Sequence, residues 1–172
     1  LEQLRQWAGV KLGDNSLALD LPQIKRHLEL SPLIREASIE RILPSNLKIR
    51  VSEREPIVQA YALAPTGKDG DLDISVYYLD DEGYVMRPMD TLPLGAAAQE
   101  NYAVLTGLSR ADLCPGRKAE SPQVFASLRL LGAFERSPML GQADLARIDI
   151  SKPEVLVATT AQGAEIVFGL EN

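Results

Sequence analysis

The chain has 172 residues, 45% of them apolar and 24% charged, a profile that supports one sizeable core or two small ones. Eighteen Lys and Arg against twenty-four Asp and Glu leave a formal charge of −6, which argues against long-range attraction to nucleic acid or anionic lipid and favours a protein partner. Cys114 is the single cysteine, so an internal disulfide and a thiolate metal cluster are excluded; no run approaches the roughly 20 uncharged apolar residues of a membrane span.

Leu1, Leu4, Ala8 and Leu12 recur at helical spacing, which predicts an opening amphipathic helix weakened at Gly9 and ended by Gly13. Its charged first ten residues do not resemble a signal peptide. Trp7, beside that stripe, reads as partly buried packing rather than an interface anchor. Asp20 and Gln23 have capping-box spacing with Pro22 in the first turn. Leu21, Ile24 and Leu28 then share one face of a second helix ending before Pro32.

The run from Ile34 to Ile42 alternates, with Ala37 and Ile39 opposite Glu36, Ser38 and Glu40, and predicts a half-exposed strand. Leu43-Pro44-Ser45-Asn46 turns the chain. Leu47, Ile49 and Val51 then alternate strictly with Lys48, Arg50 and Ser52, and the pattern predicts a second strand with Ile49 buried at the middle of its apolar face. Two helices and an antiparallel hairpin make a unit able to bury both stripes.

Pro56 in Glu53-Arg54-Glu55-Pro56 cannot donate to a central ladder, so this segment marks the joint between two units, residues 1–55 and 56–172. Glu53, Arg54 and Pro56 are its candidate residues. Ile57 to Leu63 predicts a strand, Ala64 to Asp71 a turn-rich excursion, and Val76 to Met86 a strand, a tight turn at Asp80 to Gly83, and another strand from Tyr84. Pro88 to about Pro115 reads as a long connection around Val104 to Leu108. Ser121-Pro122 starts a helix with Val124, Phe125, Leu128 and Leu131 inward, closed by Gly132. Strands follow at Ala146 to Ile150, Val155 to Thr159 and Ala164 to Phe168. The fold class is α+β: a helix-helix-hairpin unit, then a mostly antiparallel β domain with one helix.

Candidates for chemistry are few. His27, the single histidine, has no Gly-x-Ser-x-Gly elbow to serve and reads as a solvated or capping residue. Cys114 reads as a loop or core thiol rather than a nucleophile. Asp69, Asp71, Asp73 and Asp80 have calcium-loop spacing, but Ile74 stands where that loop needs glycine and Asp80 where it needs a bidentate glutamate; the run reads as a solvated acidic loop. Asp80, Asp81 and Glu82, consecutive in a turn, lack the burial and opposed placement that tune catalytic acids, and read as turn chemistry. The glycines of Thr66-Gly67-Lys68-Asp69-Gly70 match no phosphate loop. No metal, cofactor or catalytic residue is expected, and the chain reads as a non-enzymatic binding module.

The series Gly13-Asp14-Asn15, Leu19-Asp20, Ser31-Pro32-Leu33-Ile34, Leu43-Pro44-Ser45-Asn46-Leu47-Lys48-Ile49 and Val51-Ser52-Glu53-Arg54-Glu55-Pro56 resembles the POTRA (polypeptide-transport-associated) unit of the bacterial FtsQ/DivIB family. Tyr78 to Gly83, Leu92-Pro93, Leu105-Thr106-Gly107, and Gln162-Gly163 through Phe168-Gly169 are similar to that family's second domain. The resemblance implies a divisome scaffold with a single inner-membrane helix, its POTRA and β units in the periplasm, and FtsB and FtsL as partners. It implies no nucleic acid, and a membrane only through an anchor helix outside this chain. It also implies a first POTRA strand before Leu1 and a helix and final strand after Asn172, with the FtsB-binding edge in those last strands. Within this sequence Ile166, Val167 and Phe168 are then the candidate partner-binding edge. The alternative is a POTRA-bearing component of outer-membrane protein assembly or secretion.

Overall fold

The computed structural model describes residues 2–66, 71–87 and 102–170. The chain divides into two compact units, Leu1–Arg54 and Glu55–Asn172.

Unit 1 opens with helix α1 (Glu2–Ala8), which stops at Gly9 (φ 66°), a backbone conformation that favours glycine. The helix is thus shorter than the Leu1-to-Leu12 stripe suggests. Leu12 falls outside it and is exposed rather than packed. Helix α2 (Leu21–Glu29) is capped as its sequence predicts, Gln23 N–H donating to the Asp20 carboxylate at 3.0 Å. Ile24 and Leu28 are buried, and Trp7, Leu4 and Leu21 pack partly buried around them.

Strand β1 (Ile34–Ile42) pairs antiparallel with β2 (Asn46–Glu53) through a turn whose Leu43–Pro44 peptide is cis. Ile39 faces Ile49 and Ala37 faces Val51 across the ladder. The register shifts between Ile34 and Glu36, a bulge that inserts Arg35. The bulge switches side-chain parity, so even-numbered Ile34 joins odd-numbered Ala37 and Ile39 on the core face. Leu47, Ile49 and Val51 are half-buried against that core. Ile49 is therefore not the fully covered residue its central position predicts, because among the described residues this sheet has two strands and helix α2, not α1, is the helix extensively packed on it.

Unit 2 is built on one sheet, with strands β3 (Val58–Thr66), β4 (Asp71–Leu79), β5 (Val85–Met86), β6 (Ala103–Thr106), β7 (Leu145–Asp149), β8 (Val155–Thr160) and β9 (Glu165–Gly169). Their order is β5-β4-β3-β6-β7-β8-β9. Helix α3 (Pro122–Glu135) links β6 to β7. Val124, Leu128 and Leu131 of α3 pack into one core with Leu105, Ile148, Leu156 and Ala158 of the sheet. Hairpin pairs are antiparallel, but β6 runs parallel to both β3 and β7.

Several expectations are corrected. Ala103–Thr106, read as part of a connection, is the central strand. Ala64 to Thr66 and Asp71 belong to strands rather than to an excursion; Gly67 to Gly70 and Pro88 to Asn101, Leu92-Pro93 among them, lie outside the described residues. Gly132 does not close α3, which continues to Glu135, because neighbouring packing holds the helix through it. A Cβ at Gly132 would meet only the mobile Arg136 guanidinium, at 3.4 Å. Gly132→Ala is accordingly expected to stabilise unit 2 by about 0.5–1 kcal/mol through helix propensity. A denaturant melt checks this, and a lowered midpoint contradicts it.

Candidate partner-binding edge

The chemistry-bearing residues are dispersed, and each has a local role. His27 is exposed on α2, and Cys114 is exposed with its Sγ 3.4 Å from the Ala111 carbonyl. Asp71 and Asp73 sit in the β4 ladder opposite Thr66 and Ala64, a strand geometry that no calcium loop can share. Among the described residues no three His, Cys, Asp or Glu gather as metal ligands, and no helix is long and apolar enough to cross a membrane.

Asp80 departs from expectation, being fully buried rather than solvated at the turn. Its carboxylate accepts the Glu82 and Tyr84 N–H groups at 3.0 and 2.8 Å and so closes the β4–β5 turn. Asp149, at the end of β7, does the same for Ser151, whose N–H donates at 2.8 Å. That backbone bond, then the Ser151 hydroxyl, hold the Asp149 carboxyl below the usual range against the opposing effect of burial, with lesser help from the cations of Lys152 and Arg147.

Strand β9 is the outermost strand at its end of the sheet. Thr160 N–H donates to the Ala164 carbonyl at 2.9 Å and Leu170 N–H to the Glu154 carbonyl at 2.8 Å, which fixes the phase of the β8–β9 ladder. Antiparallel pairs alternate, so Leu156/Phe168 and Ala158/Ile166 exchange the ladder bonds. Glu165, Val167 and Gly169 consequently direct their N–H and C=O groups away from β8. At the other end of the sheet, β5 is stitched to the chain after β6: Val85 N–H donates to Arg117 O at 2.9 Å and Gly116 N–H to Val85 O at 2.8 Å.

The β9 edge is also apolar on both faces. Phe168 lies on the α3 side and packs half-buried against the core, while Ile166 on the same face is 45% exposed and Val167 on the opposite face 65%. Beside it a groove of about 360 Å³ separates the strand from α3, lined by Ala126, Arg129, Leu130, Leu156, Phe168 and Leu170. The structure thus places Ile166, Val167 and Phe168 together on one open edge. Glu53, Arg54 and Pro56 are elsewhere: Glu53 ends β2, Arg54 N–H donates to Leu33 O at 2.8 Å, and the division between units falls after Arg54. The groove went unread in the sequence because α3 and β9 are distant in the chain.

Comparison with known proteins bears on both units. The FtsQ-type POTRA domain model matches residues 1–54. The cell division protein FtsQ of Geotalea daltonii is 30% identical over 169 residues, covering 98% of this chain and 56% of that protein. FtsQ of a Geobacter species is 28% identical over 162 residues, covering 94% of this chain and 53% of its own length. FtsQ of Syntrophotalea carbinolica is 26% identical over 164 residues, covering 94% and 52%. The chain spans about half the length of the curated relatives it matches. Residues 1–54 are thus similar to the POTRA domain of the FtsQ type, and the similarity to cell division proteins named FtsQ runs on through the rest of the chain.

Proposed function

We propose that the chain is the extracytoplasmic part of a non-catalytic division scaffold, anchored in the inner membrane by a helix outside this sequence, that holds FtsB and FtsL at the septum. The observation that carries this reading is the β9 edge, where outward-directed backbone groups are flanked by exposed apolar side chains on both faces. A partner segment adds to such an edge through main-chain hydrogen bonds, and the neighbouring side chains select it. The partner segment is laid directly along β9 and continues the sheet outward from it. The placement of His27 and Asp80 supports a non-catalytic role, since one is solvated and the other is occupied in closing a turn.

The joint residues Glu53, Arg54 and Pro56 are proposed to connect the scaffold's two units. The partner edge has the sharper test. Val167→Pro removes an N–H that faces away from β8, so it spares the existing ladder while blocking pairing on the outer side. Calorimetry of the longer protein against the FtsB extracytoplasmic segment is expected to show at least about tenfold weaker binding for the variant, with a near-unchanged melt. Equal tight binding by both proteins removes β9 from the partner site.

A further inference from the structure

Four of the five large exposed aliphatic side chains among the described residues of unit 1 lie at one end of it. Leu12 (85% exposed) and Leu17 (66%) lie on the loop between α1 and α2, and Ile42 (45%) and Leu43 (69%) at the tip of the β1–β2 hairpin. The two loops are tied to each other. Arg41 Nε donates to Ser16 O at 2.8 Å, its guanidinium also reaches Leu19 O, and Ser16 Oγ donates to Pro44 O at 3.4 Å. The leucines are therefore presented on a fixed scaffold.

Part of the loop backbone is satisfied internally. Lys11 N–H donates to the Asp14 carboxylate at 2.8 Å and Asp14 N–H to Lys11 O at 3.3 Å. Leu17 N–H donates to Asn15 Oδ1 at 3.0 Å and Ala18 N–H to Asn15 O at 2.9 Å.

We propose that this tip is a membrane-contact surface, with Leu12, Leu17, Ile42 and Leu43 entering the headgroup–acyl boundary of an anionic bilayer and Lys11 meeting the headgroups. Two observations favour lipid over a protein partner. The exposed aliphatic side chains of the patch are all Leu and Ile, which partition well into a bilayer, and neither Trp nor Tyr joins them; Trp7 is packed on the unit's own core, Arg41 is committed to loop carbonyls, and Arg5 shares a groove with Lys11 and Leu12. Charge points the same way. Residues 1–54 carry nine Lys and Arg against seven Asp and Glu, whereas residues 55–172 carry nine against seventeen, so the chain's net −6 conceals a positive first unit. A unit of net positive charge with an aliphatic tip fits an anionic interface.

The test is flotation of the chain with vesicles of phosphatidylethanolamine and phosphatidylglycerol. The unsubstituted chain is expected to float with them. The triple variant Leu12→Ser, Leu17→Ser, Leu43→Ser is expected to lose at least about fivefold of the bound fraction while its thermal melt stays unchanged, since all three side chains are already in water. Leu30→Ser, 77% exposed but beyond the opposite end of α2, is the control and should bind like the unsubstituted chain. The proposal is overturned if the unsubstituted chain stays with the soluble fraction, or if the triple variant floats equally. It is overturned in favour of a protein interface if vesicles ignore the tip and the triple substitution in the longer protein abolishes capture of a division partner.

Discussion

Gly107→Ala is expected to destabilise unit 2 by about 3 kcal/mol or more, because it combines a strained backbone conformation with a backbone clash. Gly107 follows β6 with φ 93°, where an L side chain is strained. The space is also taken: a Cβ there would lie 2.7 Å from Ser151 Cα and 2.8 Å from Ile150 C, both backbone atoms. Those atoms cannot swing aside, because Ile150 N–H donates to Thr106 O at 2.9 Å and Ser151 N–H is held by Asp149. Gly163 in the β8–β9 turn supplies the comparison. Its φ is 87°, but a Cβ meets nothing within 4 Å, so Gly163→Ala should cost only the conformational strain of about 1–2 kcal/mol. Denaturant melts with amide exchange on β6 and β7 read the difference. Equal costs for the two substitutions contradict the close approach at Gly107.

Leu28→Ala is the matching expectation for unit 1, at about 2–5 kcal/mol. Leu28 is fully buried on α2 and is the largest of that unit's completely covered side chains. With five buried residues in this core among the described residues, little surrounds the site that can collapse into the space left behind. Ile49→Ala removes a half-buried side chain and should cost about 1–3 kcal/mol, and Lys48→Ala on the wet face less than about 1. Amide exchange of β1 and β2 resolves these costs without assuming that the two units unfold together. A loss for Leu28→Ala no larger than that for Lys48→Ala contradicts the placement of α2 on the hairpin.

Most of this architecture was legible in the sequence where one face of an element is wet and the other dry. Leu47 to Ser52 alternates because the hairpin has such faces, and Asp20 announces α2 because a cap is a local hydrogen bond. Strand β6 was not legible as a strand. Flanked by parallel neighbours and covered by α3, it has no regularly polar face, and four residues are too few to separate a buried strand from a loop that passes through the core. The bulge at Arg35 is invisible for a related reason: it shows only in which residues pair across the ladder. Gly132 misled because its use as a helix stop depends on surroundings, and packing on both sides of it overrode its propensity. Of the candidate edge, the apolar run Ile166 to Phe168 could be read directly. Its outward-directed backbone and the groove beside α3 depend on ladder phase and on tertiary placement, neither of which leaves a mark in a single sequence.

The parallel central strand has a consequence for how the two units are acquired during synthesis. In unit 1, α2 and the hairpin that pack together are neighbours in the chain, so their contacts close short loops. In unit 2, β6 lies between β3, which precedes it by two strands and a long connection, and β7, which follows only after α3. The sheet cannot grow strand by strand in the order of translation, since its middle member joins two hairpins made at different times. Non-local closure of this kind slows folding relative to local pairing. As the chain emerges, the β3–β4 hairpin therefore waits with the inner side of β3 bare until β6 arrives, and β6 in turn waits for β7. That interval, rather than the finished fold, is when unit 2 is most open to pairing with the wrong chain.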